Sequence, residues 1–312
     1  MTRHFLRDDD LTPLEQHEVL QRAHYLKGSR YGARQLDGPK AVALIFDKPT
    51  LRTQASFSAG VAELGGAPMV VDGNLAQIGK RESVADVARV LGRQVALVVW
   101  RTFAQADLEE MAEHAGVPVV NALTDDFHPC QVLADLLTIE EHKGNAPGLK
   151  LAFLGDSACN MSHSYLLGGA TAGLHVVVSG PAGFEPSAEV LARAQEIAAQ
   201  TEGSVAYEPD PVAAVSGADV VATDTWVSMG KEAEAAERVA PFKPYRVDAT
   251  MMSHAKADAI VLHCLPAYRG KEITADVIDG PQSVVWDEAE NRLHAQKALM
   301  SWLLEHRVEV TR

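Results

Sequence analysis

Short apolar runs alternate with helical patterns along this chain, and that alternation constrains its fold more than any other feature. Val42 to Phe46, Met69 to Val71, Ala96 to Trp100 and Val117 to Val120 read as buried strands. Before and between them, residues 12–28, Ser56 to Leu64, 84–92 and 106–115 carry helical spacing. A strand that is apolar throughout is covered on both faces, which is the signature of a parallel α/β sheet. The same grammar resumes after the turn-forming Gly144-Asn145-Ala146-Pro147-Gly148. It predicts strands at 149–154, 174–179, 219–223, 258–262 and 283–286, and helices at about 162–172 and 186–200. Ala289 to His306 closes the chain as a long amphipathic helix. At 312 residues the chain exceeds a single ordinary core. The expected architecture is α/β, with two doubly wound parallel-sheet domains joined by interdomain helices. One domain spans 1–143, with a C-terminal helix of about 290–312 packing back on it, and the other spans 144–289.

Charge and cysteine usage exclude several functions. A formal charge of −14 argues against nucleic acid or an anionic membrane as the main partner. It leaves room for a small anionic substrate, because local donors dominate inside a pocket. Cys130, Cys159 and Cys264 are few and odd in number, so a disulfide framework is not expected. The N-terminus lacks an apolar signal region and no stretch approaches a membrane span, so the expected location is cytoplasmic.

Chemistry-bearing residues gather where strands end and helices begin. Val42–Phe46 runs into Asp47-Lys48-Pro49-Thr50-Leu51-Arg52-Thr53 ahead of a helix. A helix N-terminus offers free N–H groups to an anion, and Arg52 adds a fork of donors matched to phosphate. Trp100-Arg101-Thr102-Phe103 places another arginine after a buried strand, and Glu290-Asn291-Arg292 a third at the start of the last helix. Phe127-His128-Pro129-Cys130-Gln131 opens a helix over Val132 to Glu140. There His128 is suited to stabilising a developing oxyanion and Gln131 to reading an amide. Gly155-Asp156-Ser157-Ala158-Cys159-Asn160 follows a strand without the glycine spacing of a dinucleotide site. Asp224-Thr225-Trp226-Val227-Ser228-Met229-Gly230 supplies a carboxylate for an ammonium and backbone donors for a carboxylate. His263-Cys264-Leu265-Pro266 ends the strand 258–262, where open α/β sheets bind their ligands. Each cluster also has an ordinary reading: a threonine cap beside a solvated arginine, a structural histidine, a turn, an inert strand-end thiol.

Taken together, Phe127-His128-Pro129-Cys130-Gln131, Asp224-Thr225-Trp226-Val227-Ser228-Met229-Gly230 and His263-Cys264-Leu265-Pro266 resemble the ornithine carbamoyltransferases, within the aspartate/ornithine carbamoyltransferase superfamily. Trp100-Arg101-Thr102-Phe103 and Trp286-Asp287-Glu288-Ala289-Glu290-Asn291-Arg292 extend the resemblance over nearly the whole chain. The resemblance implies transfer of a carbamoyl group from carbamoyl phosphate to the side-chain amine of L-ornithine, giving L-citrulline and phosphate, in arginine biosynthesis or its catabolic reverse. It implies no metal and no organic cofactor. Placed on this chain, the family pattern assigns the phosphate to Thr50, Leu51, Arg52, Thr53 and Arg101. It assigns the carbamoyl group to Arg101, His128, Gln131, Arg292 and the main chain around Cys264 and Leu265. Ornithine falls to Asn160, Asp224, Ser228 and Met229. Arg101, His128, Asp224 and Cys264 stand as the catalytic candidates, with the roles of the last two not separated. The family pattern also implies a homotrimer in which Gln77, within Gln77-Ile78-Gly79-Lys80, is lent to a neighbouring site.

The chain departs from the family in one place. Where relatives carry Ser-Thr-Arg-Thr-Arg, it has Thr50-Leu51-Arg52-Thr53-Gln54. If Leu51 donates through its backbone N–H, little changes. If the missing hydroxyl bonds the phosphate, its loss costs on the order of 1.5–3 kcal/mol. Two alternatives stay open: a sibling carbamoyltransferase for another amine, and a non-catalytic binding paralogue.

Overall fold

In a computed structural model the described residues are 2–227 and 235–306. They form two compact units, one built from the residues up to Ala134 together with those from Glu290 onward, the other from Asp135–Ala289. In chain order the elements are α1 Pro13–Gly28, β1 Ala41–Phe46, α2 Arg52–Glu63, β2 Ala67–Asp72, α3 Gly73–Ala76, α4 Val84–Leu91, β3 Leu97–Arg101, α5 Gln105–Ala115, β4 Val119–Leu123 and α6 Pro129–Lys143. There follow β5 Lys150–Leu154, α7 Asn160–Thr171, β6 His175–Ser179, α8 Ala188–Thr201, β7 Ser204–Tyr207, α9 Pro211–Val215 and β8 Val220–Thr223. The chain ends with α10 Ala235–Phe242, α11 Ala249–Met252, β9 Ile260–His263, α12 Ala275–Ile278 and α13 Val285–Glu305. The division between the units falls inside α6 and at Ala289 in α13. No helix among the described residues is long and apolar enough to cross a membrane.

Both sheets are parallel throughout, in the orders β2-β1-β3-β4 and β7-β6-β5-β8-β9. The strand order reverses between β1 and β3 in the first unit, and between β5 and β8 in the second. A doubly wound sheet opens a crevice at such a switch point, outside the carboxyl ends of its strands. That rule singles out Asp47 to Thr53 and Arg101 in one unit, and Gly155 to Asn160 and Asp224 in the other.

Burial explains why these elements form. Val42 to Ile45, Leu97 to Val99 and Val220 to Ala222 are wholly buried, as the apolar runs require. In the first unit α13 is fastened by Lys297, itself fully buried. Its Nζ donates to Glu63 Oε2 of α2 at 2.8 Å and to the Arg30 carbonyl at 2.6 Å. A buried ammonium persists only when paired in this way.

Several expectations need correction. The predicted strand at 283–286 does not form: only Ser283 bridges to Val261, and Val285 already begins α13. A strand that was not expected, β7, takes the far edge of the second sheet. Its four residues bury Val205 alone, so it lacks the apolar run that marked the others. Helix α2 begins at Arg52, not Ser56, which brings Arg52 and Thr53 into its first turn. Strand β4 extends to Leu123 through the buried Asn121, whose amide bonds the Leu6 carbonyl at 2.8 Å.

Candidate active site

In the first unit, basic side chains converge beside the N-terminus of α2. Thr53 has no exposed surface, and its hydroxyl accepts from Arg101 Nη1 at 3.3 Å and from Arg292 Nη2 at 3.0 Å. One hydroxyl thereby gathers guanidinium groups from the end of β3 and from α13. His128 is buried at the start of α6, and its carbonyl accepts the Gln131 N–H at 3.0 Å. Burial foremost, then the charges of Arg292, Arg101, Arg52 and Lys48, hold the His128 imidazole well below its ordinary pKa. Four cations around a neutral imidazole, beside the N-terminus of α2, make a site for an anion.

Lys48 is a member that its sequence position did not single out. It is almost wholly buried, pairs with Asp125 and lies 4.6 Å from the Phe103 ring centre. Its one sequence signal is adjacency to the Thr50–Thr53 segment. Thr50 is half-buried just before that loop turns into the helix. Leu51 occupies the N-cap of α2 without a side-chain cap, and its side chain is 80% exposed. Gln131 is buried with His128. Gln77 is exposed at the end of α3 in the left-handed region (φ 52°), held by its N–H to the Gly73 carbonyl.

In the second unit the ends of β8 and β9 meet side by side. Cys264 Sγ donates to Asp224 Oδ1 at 3.2 Å, and the Thr225 N–H reaches the same oxygen at 2.7 Å. Burial foremost, then the Asp224 and Glu288 carboxylates, push the Cys264 thiol well above its ordinary pKa, so it stays a donor. His263 is held from three sides. Its N–H donates to Glu288 Oε2 at 2.8 Å, its Nδ1 accepts the Leu265 N–H at 2.9 Å, and its Nε2 faces Glu272 Oε1 at 3.3 Å. Because Nδ1 accepts from a backbone N–H, the ring proton sits on Nε2 and points at Glu272. That bond supports Leu265, which stands in the left-handed region (φ 55°), a conformation that costs a non-glycine residue about 1–3 kcal/mol. Asp224, His263 and Cys264 bring potential metal-ligating atoms within 4.8 Å of one another. Both imidazole nitrogens are already engaged, so the trio suits a hydrogen-bond network better than a metal centre.

Asn160 is the first residue of α7, half-buried beyond the end of β5. The Thr223 hydroxyl ties β8 to β5 by donating to the Leu154 carbonyl at 2.7 Å. Ser228 and Met229 lie outside the described residues. A cavity of about 400 Å³ in this unit, lined by Met252, Lys256, Asp276 and Gln282 among others, contains none of the expected site residues.

Two family models match the chain. The aspartate/ornithine carbamoyltransferase carbamoyl-P binding domain covers residues 3–141, and the Asp/Orn binding domain of the same family covers 147–303. The ornithine carbamoyltransferase of Clavibacter sepedonicus is 63% identical over 304 residues, spanning 97% of this chain and 99% of that protein. That of Renibacterium salmoninarum is 60% identical over 309 residues, spanning 98% and 99%. Among solved structures, the ornithine carbamoyltransferase of Pyrococcus furiosus superposes with a TM-score of 0.94 at 44% identity, covering 99% of this chain and 98% of that one. Matched over nearly its whole length in sequence and fold, with its basic cluster and its Asp224–Cys264 pair at the two switch points, the chain belongs to the aspartate/ornithine carbamoyltransferase family.

Proposed function

We propose that the chain transfers the carbamoyl group of carbamoyl phosphate to the side-chain amine of ornithine, giving citrulline and phosphate. The observation that carries this reading is the Thr53 hydroxyl holding Arg101 and Arg292 together beside a buried, neutral His128. Arg52, Thr50, Thr53 and the N–H groups at Leu51 and beyond hold the phosphate. Arg101 serves phosphate and carbamoyl oxygen together, His128 and Arg292 meet the carbamoyl oxygen, and Gln131 reads the carbamoyl amide. Asn160, Asp224, Ser228 and Met229 take ornithine, and the main chain at Cys264 and Leu265 takes the carbamoyl amide.

An alkyl ammonium has a pKa of about 10.4, so only roughly one amine in a thousand is neutral near pH 7.4. Asp224 and Cys264 orient that amine. Its nitrogen attacks the carbamoyl carbon, an oxyanion develops toward Arg101 and His128, the carbon–oxygen bond to phosphate breaks, and the amine's proton leaves with the departing phosphate. Holding both substrates in line supplies much of the remaining acceleration.

The His128 environment has a pH consequence. Its folded pKa lies below the ordinary value of about 6.5, so the ring stays neutral as pH falls through 6.5. Turnover is therefore expected to show no loss from His128 between about pH 8 and 6, while stability declines below about pH 6.5 as the unfolded chain takes the proton the folded chain refuses. An acid limb near 6.5 that vanishes in His128→Gln would contradict this.

Leu51 leaves the phosphate loop usable, since an exposed leucine neither blocks the helix N–H groups nor caps them. Leu51→Thr is expected to lower the carbamoyl-phosphate KM while leaving stability nearly unchanged, because position 51 has helical backbone angles (φ −95°, ψ −52°) from which a side chain does not cap. Thermal melts and steady-state kinetics check both, and an unchanged KM would place the donor on the backbone.

Arginine biosynthesis is the direction we favour, supported by the 36%-identical structure described as an anabolic ornithine carbamoyltransferase from Campylobacter jejuni. A cytoplasmic location suits Cys264, whose role needs a reduced thiol. A homotrimer with Gln77 lent to a neighbour is supported by exposed Val70 on the edge strand β2 and exposed Leu75 on α3 beside Gln77. An apolar sheet edge of this kind invites a partner. Light scattering at three times the 33.5 kDa chain mass supports the trimer, and a monomer mass rules it out.

A further inference from the structure

Asp47, the residue directly after β1, grips three consecutive residues of the neighbouring strand end. Its N–H donates to the Arg101 carbonyl at 2.9 Å. Its carboxylate accepts from Trp100 Nε1 at 2.8 Å and from the Thr102 side chain. The bonds thus fall on Arg101 and on both of its sequence neighbours. They fall where the β3–β4 pairing is irregular: Trp100 pairs with Asn121 but Arg101 pairs with Leu123, so that Ala122 of β4 is skipped, while β3 keeps an unbroken register with β1. Irregularities of this kind re-aim a side chain at a sheet's rim. On its other side the carboxylate is wedged against Gly73, the first residue of α3. A Cβ at Gly73 would stand 1.8 Å from Asp47 Oδ1 and 2.9 Å from its Cα. Asp47 therefore cannot swing away from β3 toward the loop that carries Gln77.

We infer that Asp47 is a positioning residue for carbamoyl transfer: by clamping Trp100-Arg101-Thr102 from the β1 side, opposite the irregular β3–β4 pairing, it aims the Arg101 guanidinium at the donor substrate. The inference rests on the proposed carbamoyl-transfer reading. It deepens that reading by naming a residue that touches no substrate yet sets the geometry of one that does. Nothing in β1's apolar run requires a carboxylate at its end, and a half-buried carboxylate is costly unless its bonds are used.

The test compares the full natural chain with Asp47→Asn, an isosteric change that replaces one acceptor oxygen by a donor facing Trp100 or Thr102. Misaiming Arg101 is expected to lower kcat about tenfold to a hundredfold and to raise the carbamoyl-phosphate KM, since a shift of roughly 1 Å at a reacting group costs rate on that scale. The ornithine KM is expected to stay within about twofold, because Asp47 acts only through Arg101. By the same logic, adding Asp47→Asn to an Arg101→Ala chain should change residual turnover less than about twofold. Unchanged kinetics, parallel movement of both KM values with the melting temperature, or a further tenfold loss in the Arg101→Ala background would overturn the inference. If Asp47→Asn does not fold, Thr102→Val removes one of the two side-chain donors and should show the same split at smaller size. Inorganic phosphate binding separates this inference from the reading beneath it. A natural chain that makes no citrulline defeats the reading, whereas phosphate affinity that is unchanged in Asp47→Asn defeats the positioning role whether or not turnover is seen.

Discussion

Arg101→Ala is expected to lower carbamoyl transfer at least a thousandfold while leaving the fold intact. Loss of a single preorganised oxyanion donor costs about 10²–10³ in kcat, and loss of a charged hydrogen bond to phosphate a further 1.5–3 kcal/mol in binding. Arg101 does both jobs, so the two losses compound. Folding should not suffer in proportion. Arg101 stands among Arg52, Arg292 and Lys48, all close enough to depress His128, and removing one like charge relieves the rest. A melting temperature held or slightly raised, together with a collapse in turnover, is the expected pattern, of the kind seen where function sets charges against stability. Near-normal citrulline formation by Arg101→Ala would remove this residue from the mechanism.

Asp224→Ala is expected to act on the other substrate. Its carboxylate holds the Cys264 thiol and the Thr225 N–H, and its remaining charge is available to an ammonium. Truncating one partner of a desolvated charged pair costs about 2–5 kcal/mol, so kcat/KM for ornithine should fall by about a hundredfold or more. Cys264→Ala removes only a weak donor and should cost roughly tenfold, again on the ornithine side. Carbamoyl-phosphate KM should move little in either variant. A carbamoyl-phosphate defect in Asp224→Ala with ornithine kinetics unchanged would reverse the assignment.

These expectations rest on features of unequal visibility in the sequence. The strand ends were legible because buried parallel strands are apolar throughout, and the carboxyl end of each can be read by eye. Arg101, Asp224 and Cys264 all fall there. What was missed has local physical causes. Ser283 to Trp286 is apolar enough to pass for a strand, yet Asp287 and Glu288 are the acidic first-turn residues of a helix, which forms instead. Strand β7 exposes Ser204 and buries only Val205, so it carries no run to find. His263 was visible only as part of a tetrapeptide. Its partners Glu272 and Glu288 lie 9 and 25 residues away and are joined to it by the fold alone. Asp47 and Lys48 stood in the sequence as the lead-in to the Thr50–Thr53 segment with no role of their own, since nothing local announces that one clamps β3 and the other pairs with Asp125 beyond β4.

The acceptor amine is set by Asp224 and Cys264 together with Ser228 and Met229, which the family pattern assigns to ornithine and which lie outside the described residues. The most direct test is ureido-product formation by the purified chain from carbamoyl phosphate with ornithine, putrescine, lysine or acetylornithine as acceptor. Citrulline is expected as the main product, with kcat/KM for ornithine exceeding that for each rival by about a hundredfold or more, the scale on which unmatched polar groups in a site discriminate. Preferred turnover of another amine, or phosphate binding with no carbamoyl transfer to any of the four, would contradict it.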